Sequence, residues 1–111
     1  MRRIEVFRRY FLDFYERLDA KEQEKIDYAL LLLKRNSRVS KRFVKRISGS
    51  IYELRAIHKN NHYRIFFLFE EGNKVVLLHG FLKKTRKTPI SEIEKAKNYK
   101  REYDEQNNGT Q

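Results

Sequence analysis

Three short apolar runs dominate the middle of the chain: residues 51–58 (IYELRAIH), 63–70 (YRIFFLFE) and 74–82 (KVVLLHGFL). Runs of this length bounded by turn residues read as strands. The breaks between them are Lys59-Asn60-Asn61 and Glu71-Gly72-Asn73. Asn and Gly accept the positive φ of tight turns, and links this short join only antiparallel neighbours. The pattern therefore predicts a three-stranded antiparallel meander.

On either side of it the period changes. Residues 2–8 alternate weakly and have charged ends, which suits an edge strand. From Tyr10 onward, Phe11, Phe14, Tyr15 and Leu18 recur at helical spacing. Asp19 followed by Glu22 has the form of a capping box and opens a second helix over residues 20–35. Its stripe is Ile26, Ala29, Leu30 and Leu33, and Asn36-Ser37 is its stop. The two helices make a hairpin whose destination is one face of the sheet. Thr88 as a cap with Pro89 in the first helical position starts a C-terminal helix, striped by Ile90, Ile93, Ala96 and Tyr99. That helix is expected to end near residues 103–105, leaving 106–111 as a flexible tail. The fold class is α+β: an N-terminal strand, a helix hairpin packed on an antiparallel β-meander, and a C-terminal helix, in a single domain over residues 1–105.

Charge adds a function to this outline. The 111 residues carry a net charge of +11, so a polyanion is the expected partner. Nucleic acid is the commonest polyanion, and an anionic membrane surface is the rival. The stretch 34–46 holds seven basic residues and no acidic one. It reads as a solvated connector with a short helix docked by Val39, Phe43, Val44 and Ile47. Its Lys41, Arg42, Lys45 and Arg46 are equally candidates for RNA contact. No apolar run reaches the roughly 18 residues of a membrane span. Glu5 and Asp13 interrupt any signal-like segment, so a cytoplasmic location is expected. There is no cysteine, and His58, His62 and His79 lack the spacing of a helical zinc motif. Neither a metal nor a cofactor is expected.

Strand alternation sorts the remaining cations. Arg55 shares a face with Ile51 and Glu53, and Arg64 shares one with His62, Phe66 and Leu68. Tyr63, Ile65, Phe67 and Phe69 point the other way, toward the helices. A tight hairpin brings Arg55 and Arg64 together on the face away from the helix hairpin. Lys83 and Lys84 arrive at the rim of the sheet, followed by Arg86 and Lys87. The plain alternative is a set of surface cations held by Glu53, Glu70 and Glu71. Arg and Lys also grip phosphate. RNA can be cut without metal if the 2′-oxygen is activated, the phosphorane charge is stabilised and the leaving 5′-oxygen is protonated. Preorganised cations supply the second requirement. Clustered cations lower one another's pKa, so a lysine can shuttle a proton. Tyr63 or a histidine, His79 among them, is a candidate for stacking on a base or moving a proton.

The strings YELR at 52–55, YRIF at 63–66, VVLLHGFLKKTRKTP at 75–89 and the following EIEKAK resemble the phage-like HigB branch of the RelE/ParE toxin superfamily. The resemblance covers nearly the whole chain, and its implications go beyond the pattern of residues. It implies a RelE-like fold and a toxin of a type II toxin–antitoxin module, acting as a ribosome-dependent mRNA endonuclease. The implied partners are a cognate antitoxin, often of helix-turn-helix type, the ribosome and mRNA. By the same resemblance Arg64 matches the arginine that meets the scissile phosphate. Lys83 and Lys84 match a basic residue at the end of the last strand, and Arg55 matches the Leu-Arg arginine. Two departures stand out. The lysines that RelE carries on the first meander strand are absent here, where Ile51 and Glu53 lie. Its late catalytic tyrosine has no clear match among residues 86–89. The ParE branch shares the fold and attacks gyrase, so a gyrase inhibitor, or a non-catalytic basic RNA-binding protein, is the alternative.

Overall fold

A computed structural model describes residues 1–108. The chain folds as β1 (Arg3–Val6), α1 (Tyr10–Glu16), α2 (Ala20–Arg35), β2 (Val44–Ser48), β3 (Ile51–His58), β4 (Asn61–Glu70), β5 (Lys74–Lys83) and α3 (Ile90–Asn108). The architecture is α+β. One five-stranded sheet runs in the order β1-β5-β4-β3-β2. The expected meander is β3-β4-β5, antiparallel throughout. β1 joins it at one edge, parallel to β5.

Local chemistry accounts for the joints. Lys59 and Asn60 both take positive φ, 48° and 68°, as a two-residue hairpin turn requires. Gly72 and Asn73 do the same at the next hairpin. α2 starts on the expected capping box. The Asp19 carboxylate accepts from the Glu22 backbone at 2.8 Å, and the Glu22 carboxylate accepts from the Asp19 backbone at 3.0 Å.

The sheet buries both faces. On one, Phe11 of α1 and Ile26, Ala29 and Leu33 of α2 pack on Leu54, Ala56, Tyr63, Ile65, Phe67, Val75 and Leu77. This is the helix hairpin on its expected face. On the other, Ala96, Ile93, Tyr99 and Tyr103 of α3 cover Phe7, Phe66, Leu68, Val76, Leu78 and Phe81. α3 therefore shields only part of the second face. The end where β3, β4 and β5 carry Arg55, Arg64 and Lys83 lies outside that apolar cluster.

The structure corrects the sequence reading in four places. The connector contains no docked helix. Its Val44–Ser48 stretch is strand β2, paired antiparallel with β3 at the outer edge of the sheet. A register shift between Arg46 and Ser48 interrupts its alternation, and charged side chains are typical of such edges. β1 is shorter than residues 2–8. Thr88 does not cap α3: its hydroxyl donates to Glu53 at 3.2 Å, and the Pro89 carbonyl accepts the first helical bonds. Finally, α3 continues to Asn108, so residues 106–108 are helical. The remainder of the proposed tail, 109–111, lies outside the described residues.

One irregularity sets the geometry of the second face. Phe67 pairs with Leu77, but Phe66 pairs with His79, so Leu78 is an extra residue in β5. This is a β-bulge. Val76 and Leu78 point to the α3 face. Without the bulge, strict alternation would send His79, Phe81 and Lys83 to the helix-hairpin face. With it, His79, Phe81 and Lys83 stand opposite Phe66, Arg64 and His62. The bulge is what puts Lys83 on the same face as Arg64.

Candidate active site

Glu53 is the electrostatic centre of this face. It lies mid-strand in β3 and is only 1% exposed. Its Oε1 meets Arg55 Nε at 2.9 Å and Arg64 Nε at 3.4 Å. Its Oε2 accepts from the Thr88 hydroxyl at 3.2 Å, tying the segment before α3 to the sheet. A buried carboxylate persists only when it is paired and hydrogen-bonded, and this one is both.

Arg64 stands beside it on β4 and is 6% exposed. One of its terminal nitrogens donates to the Tyr63 carbonyl at 3.1 Å, while Nε makes no hydrogen bond. Burial lowers its pKa; Glu53 opposes that shift and Arg55 reinforces it. Arg64 lines a cleft of about 550 Å³ together with Asn60, Asn61, His62, Leu82, Lys83, Lys84, Thr85 and Arg86. None of these wall residues is acidic. Such a cleft suits a phosphate.

Lys83 is half-buried, and its ammonium donates to the Arg86 carbonyl at 2.8 Å. Burial pushes its pKa down first. The charges of Arg64, Arg55 and Lys45 push it further, against a smaller opposing pull from Glu53. Clustered cations thus favour a lysine that gives up its proton more readily.

Most of the cationic sequence candidates lie around three clefts. Arg64, Lys83, Lys84 and Arg86 line the cleft. Arg55 joins through Glu53, and Lys45 faces Glu53 across the β2–β3 pair. Lys41, Lys45 and Arg46 line a different groove, on Tyr52 and Phe69, and Arg42 and Arg55 line another with Lys25 and Tyr28. Lys87 lies outside the cleft, its carbonyl accepting from Thr85.

Two candidates are moved away altogether. Tyr63 is 0% exposed on the helix-hairpin face, and its hydroxyl donates to Glu22 of α2. Burial, with that carboxylate, pushes its pKa up to about 12. It has no surface on which a base could stack. His79 is 5% exposed, packed among Phe66, Phe81 and Tyr99. Its Nε2 lies 3.0 Å from Glu92 of α3. It anchors that helix instead of facing the cleft. The histidine at the cleft is His62, which the sequence placed on the face of Arg64 without singling it out among the three histidines. The signal that could have singled it out is its i, i+2 spacing from Arg64. Among the described residues no group of three His, Asp or Glu side chains could hold a metal ion. No helix among them is long and apolar enough to cross a membrane.

Two results follow from these placements. Lys83→Ala should reduce any activity of the cleft about tenfold more than Lys84→Ala, since Lys83 is half-buried and bonded to the Arg86 carbonyl whereas Lys84 is exposed. Parallel activity measurements on the two variants check this. His79 gives a stability result. Its Nδ1 is buried without a partner, so a second ring proton there would be unpaired. Burial holds its folded pKa below the ordinary 6.5, more strongly than Glu92 raises it. As pH falls below about 6.5 the unfolded chain takes up the proton first, so stability is full above that value and drops below it. Melting temperatures between about pH 7.5 and 5 should fall in the wild type, and His79→Gln should flatten the slope.

Similarity to known proteins fits this architecture. The model of the family described as phage derived protein Gp49-like (DUF891) matches residues 13–101. The chain belongs to that family. Over 53 residues it is 45% identical to the probable endoribonuclease HigB1 of Mycobacterium tuberculosis, in both the CDC 1551 / Oshkosh and the H37Rv strains. The match takes in 48% of this chain and 42% of those relatives, so the chain spans less than half the length of the curated proteins it matches.

Proposed function

We propose that this chain is the toxin of a type II toxin–antitoxin module, of the HigB branch of the RelE/ParE superfamily, cutting mRNA on the ribosome. The observation that carries this reading is the acid-free cleft in which Arg64 and Lys83 converge. Membership of the Gp49-like family and likeness to proteins named probable endoribonuclease support it. The net charge of +11 supports an RNA or ribosomal surface as the partner.

In this reading the scissile phosphate lies against Arg64, held in place by Glu53. The 2′-oxygen of the preceding nucleotide attacks phosphorus, and the equatorial oxygens gain negative charge. Arg64 and Lys83 stabilise that charge in a site already organised for it. The 5′-oxygen leaves with a proton, leaving a 2′,3′-cyclic phosphate. A cognate antitoxin is the expected neutralising partner, and the cytoplasm the expected compartment.

Induction of the protein alone should arrest growth and produce cuts within translated messages. Primer extension on one message with and without its start codon tests this. Cuts confined to the translated form are expected. Intact messages together with inhibited DNA supercoiling would transfer the protein to the gyrase-inhibitor class.

A further inference from the structure

The cleft also holds a histidine that takes no part in the cleavage scheme so far. His62 is the second residue of β4, two before Arg64, and strand alternation turns both to the same face. In the β4–β5 ladder His62 is the direct partner of Lys83. Side chains so paired have their Cβ atoms about 5 Å apart. His62 and Arg64 are about 7 Å apart along the strand. A phosphodiester seated on Arg64 therefore lies within reach of both His62 and Lys83.

We propose that His62 is the proton-transfer residue of this cleft, accepting the proton of the attacking 2′-hydroxyl. The proposal rests on the endonuclease reading and supplies the base that reading lacks. The balance is simple. A neutral imidazole nitrogen of His62 takes the 2′-hydroxyl proton as the 2′-oxygen–phosphorus bond forms. The phosphorus–5′-oxygen bond breaks, and the 5′-oxygen takes a proton from the Lys83 ammonium. The products are a 2′,3′-cyclic phosphate and a 5′-hydroxyl. His62 then returns its proton, and Lys83 regains one, through solvent.

Elimination points the same way. Of the cleft-lining residues described, Lys83, Lys84, Arg64 and Arg86 are cations, and Asn60, Asn61, Leu82 and Thr85 are not bases at neutral pH. Glu53, the nearest acid, is buried and already committed to Arg55, Arg64 and Thr88. Tyr63 and His79 face other parts of the fold. Imidazole is the side chain whose charge changes between about pH 5 and 8, which suits a base at physiological pH. The groups facing His62 are Arg64 on its own strand, Lys83 on β5, and Lys84 and Arg86 in the following loop. Beyond them lie the Glu53–Arg55 pair on β3 and Lys45 on β2. The lowered pKa of Lys83 suits it as the acid.

His62 is exposed, so His62→Gln should fold and melt like the wild type. On programmed ribosomes the variant should lose about a hundredfold in cleavage rate with little change in ribosome binding, and lose the acid limb of its pH–rate profile. A second readout needs no cleavage. Uridine 3′-monophosphate added to the purified protein should move the His62 imidazole resonances. The phosphate's own titration is common to both proteins, so the affinity of the wild type relative to His62→Gln should fall as pH rises. A variant that cuts at the wild-type rate with an unchanged profile overturns the proposal and leaves the endonuclease reading intact. Failure of the folded wild type to cut on ribosomes overturns both. Resonance shifts with the nucleotide would then mark a phosphate-binding site without chemistry.

Discussion

Arg64→Gln should abolish nearly all message cleavage, by about a hundredfold or more, and should also lower stability. The first effect follows from removing a preorganised cation from a developing phosphorane, worth about 3 kcal/mol of barrier. The second is a consequence of the structure. As an exposed strand residue, Arg64 would cost little to replace. It is instead buried against Glu53 and bonded to the Tyr63 carbonyl. Loss of that charged contact should cost about 2 kcal/mol, which for a domain of this size lowers the melting temperature by about 8 °C. Glu53 keeps Arg55 and Thr88, which limits the damage. Cleavage rates and thermal melts on one preparation separate the two effects. A folded Arg64→Gln protein that cuts at the wild-type rate would reduce Arg64 to a structural ion.

Glu53→Ala should have the largest effect on folding. It removes a single buried carboxylate and leaves Arg64, itself buried, without its counter-charge beside Arg55. Breaking a buried pair from one side costs about 3–5 kcal/mol. That is a large share of the roughly 5–15 kcal/mol that stabilises a typical domain. The loss should be partly recovered in Glu53→Ala/Arg64→Met, where the stranded charge is gone and an apolar side chain fills its place. Urea denaturation of the two variants measures the difference. An unchanged midpoint in Glu53→Ala would mean that solvent, and not Glu53, balances the arginines.

Local pattern was enough for the meander, the two helices of the hairpin and the capping box, because each is set by short-range spacing and turn chemistry. The same alternation placed Tyr63 on the helix face, which argues against the RNA contact also suggested for it. β2 escaped notice because Lys45 and Arg46 are adjacent and the irregularity at Ile47 breaks a period already short. The bulge at Leu78 was hidden for a different reason. Val75 to Leu78 are four apolar residues in succession, and a continuous run does not reveal which face each takes. Only the pairing with β4 shows it, and that pairing decides the partners of His79, Phe81 and Lys83. The burial of His79 likewise depends on α3, whose docking face its sparse stripe left open. Glu53 was visible only as one of three acids able to hold surface cations, and its role needed Arg55, Arg64 and Thr88 together in space.

The most direct test of the central claim is a single chemical change in the substrate. A short message on programmed ribosomes can carry a 2′-deoxynucleotide immediately before the cut. If the Arg64–Lys83 cleft drives attack by the 2′-oxygen, the all-RNA message should be cut to a 2′,3′-cyclic phosphate and a 5′-hydroxyl. The deoxy message should stay intact under the same conditions. Cleavage of the deoxy message, or failure of the folded protein to cut the all-RNA one, would contradict the account.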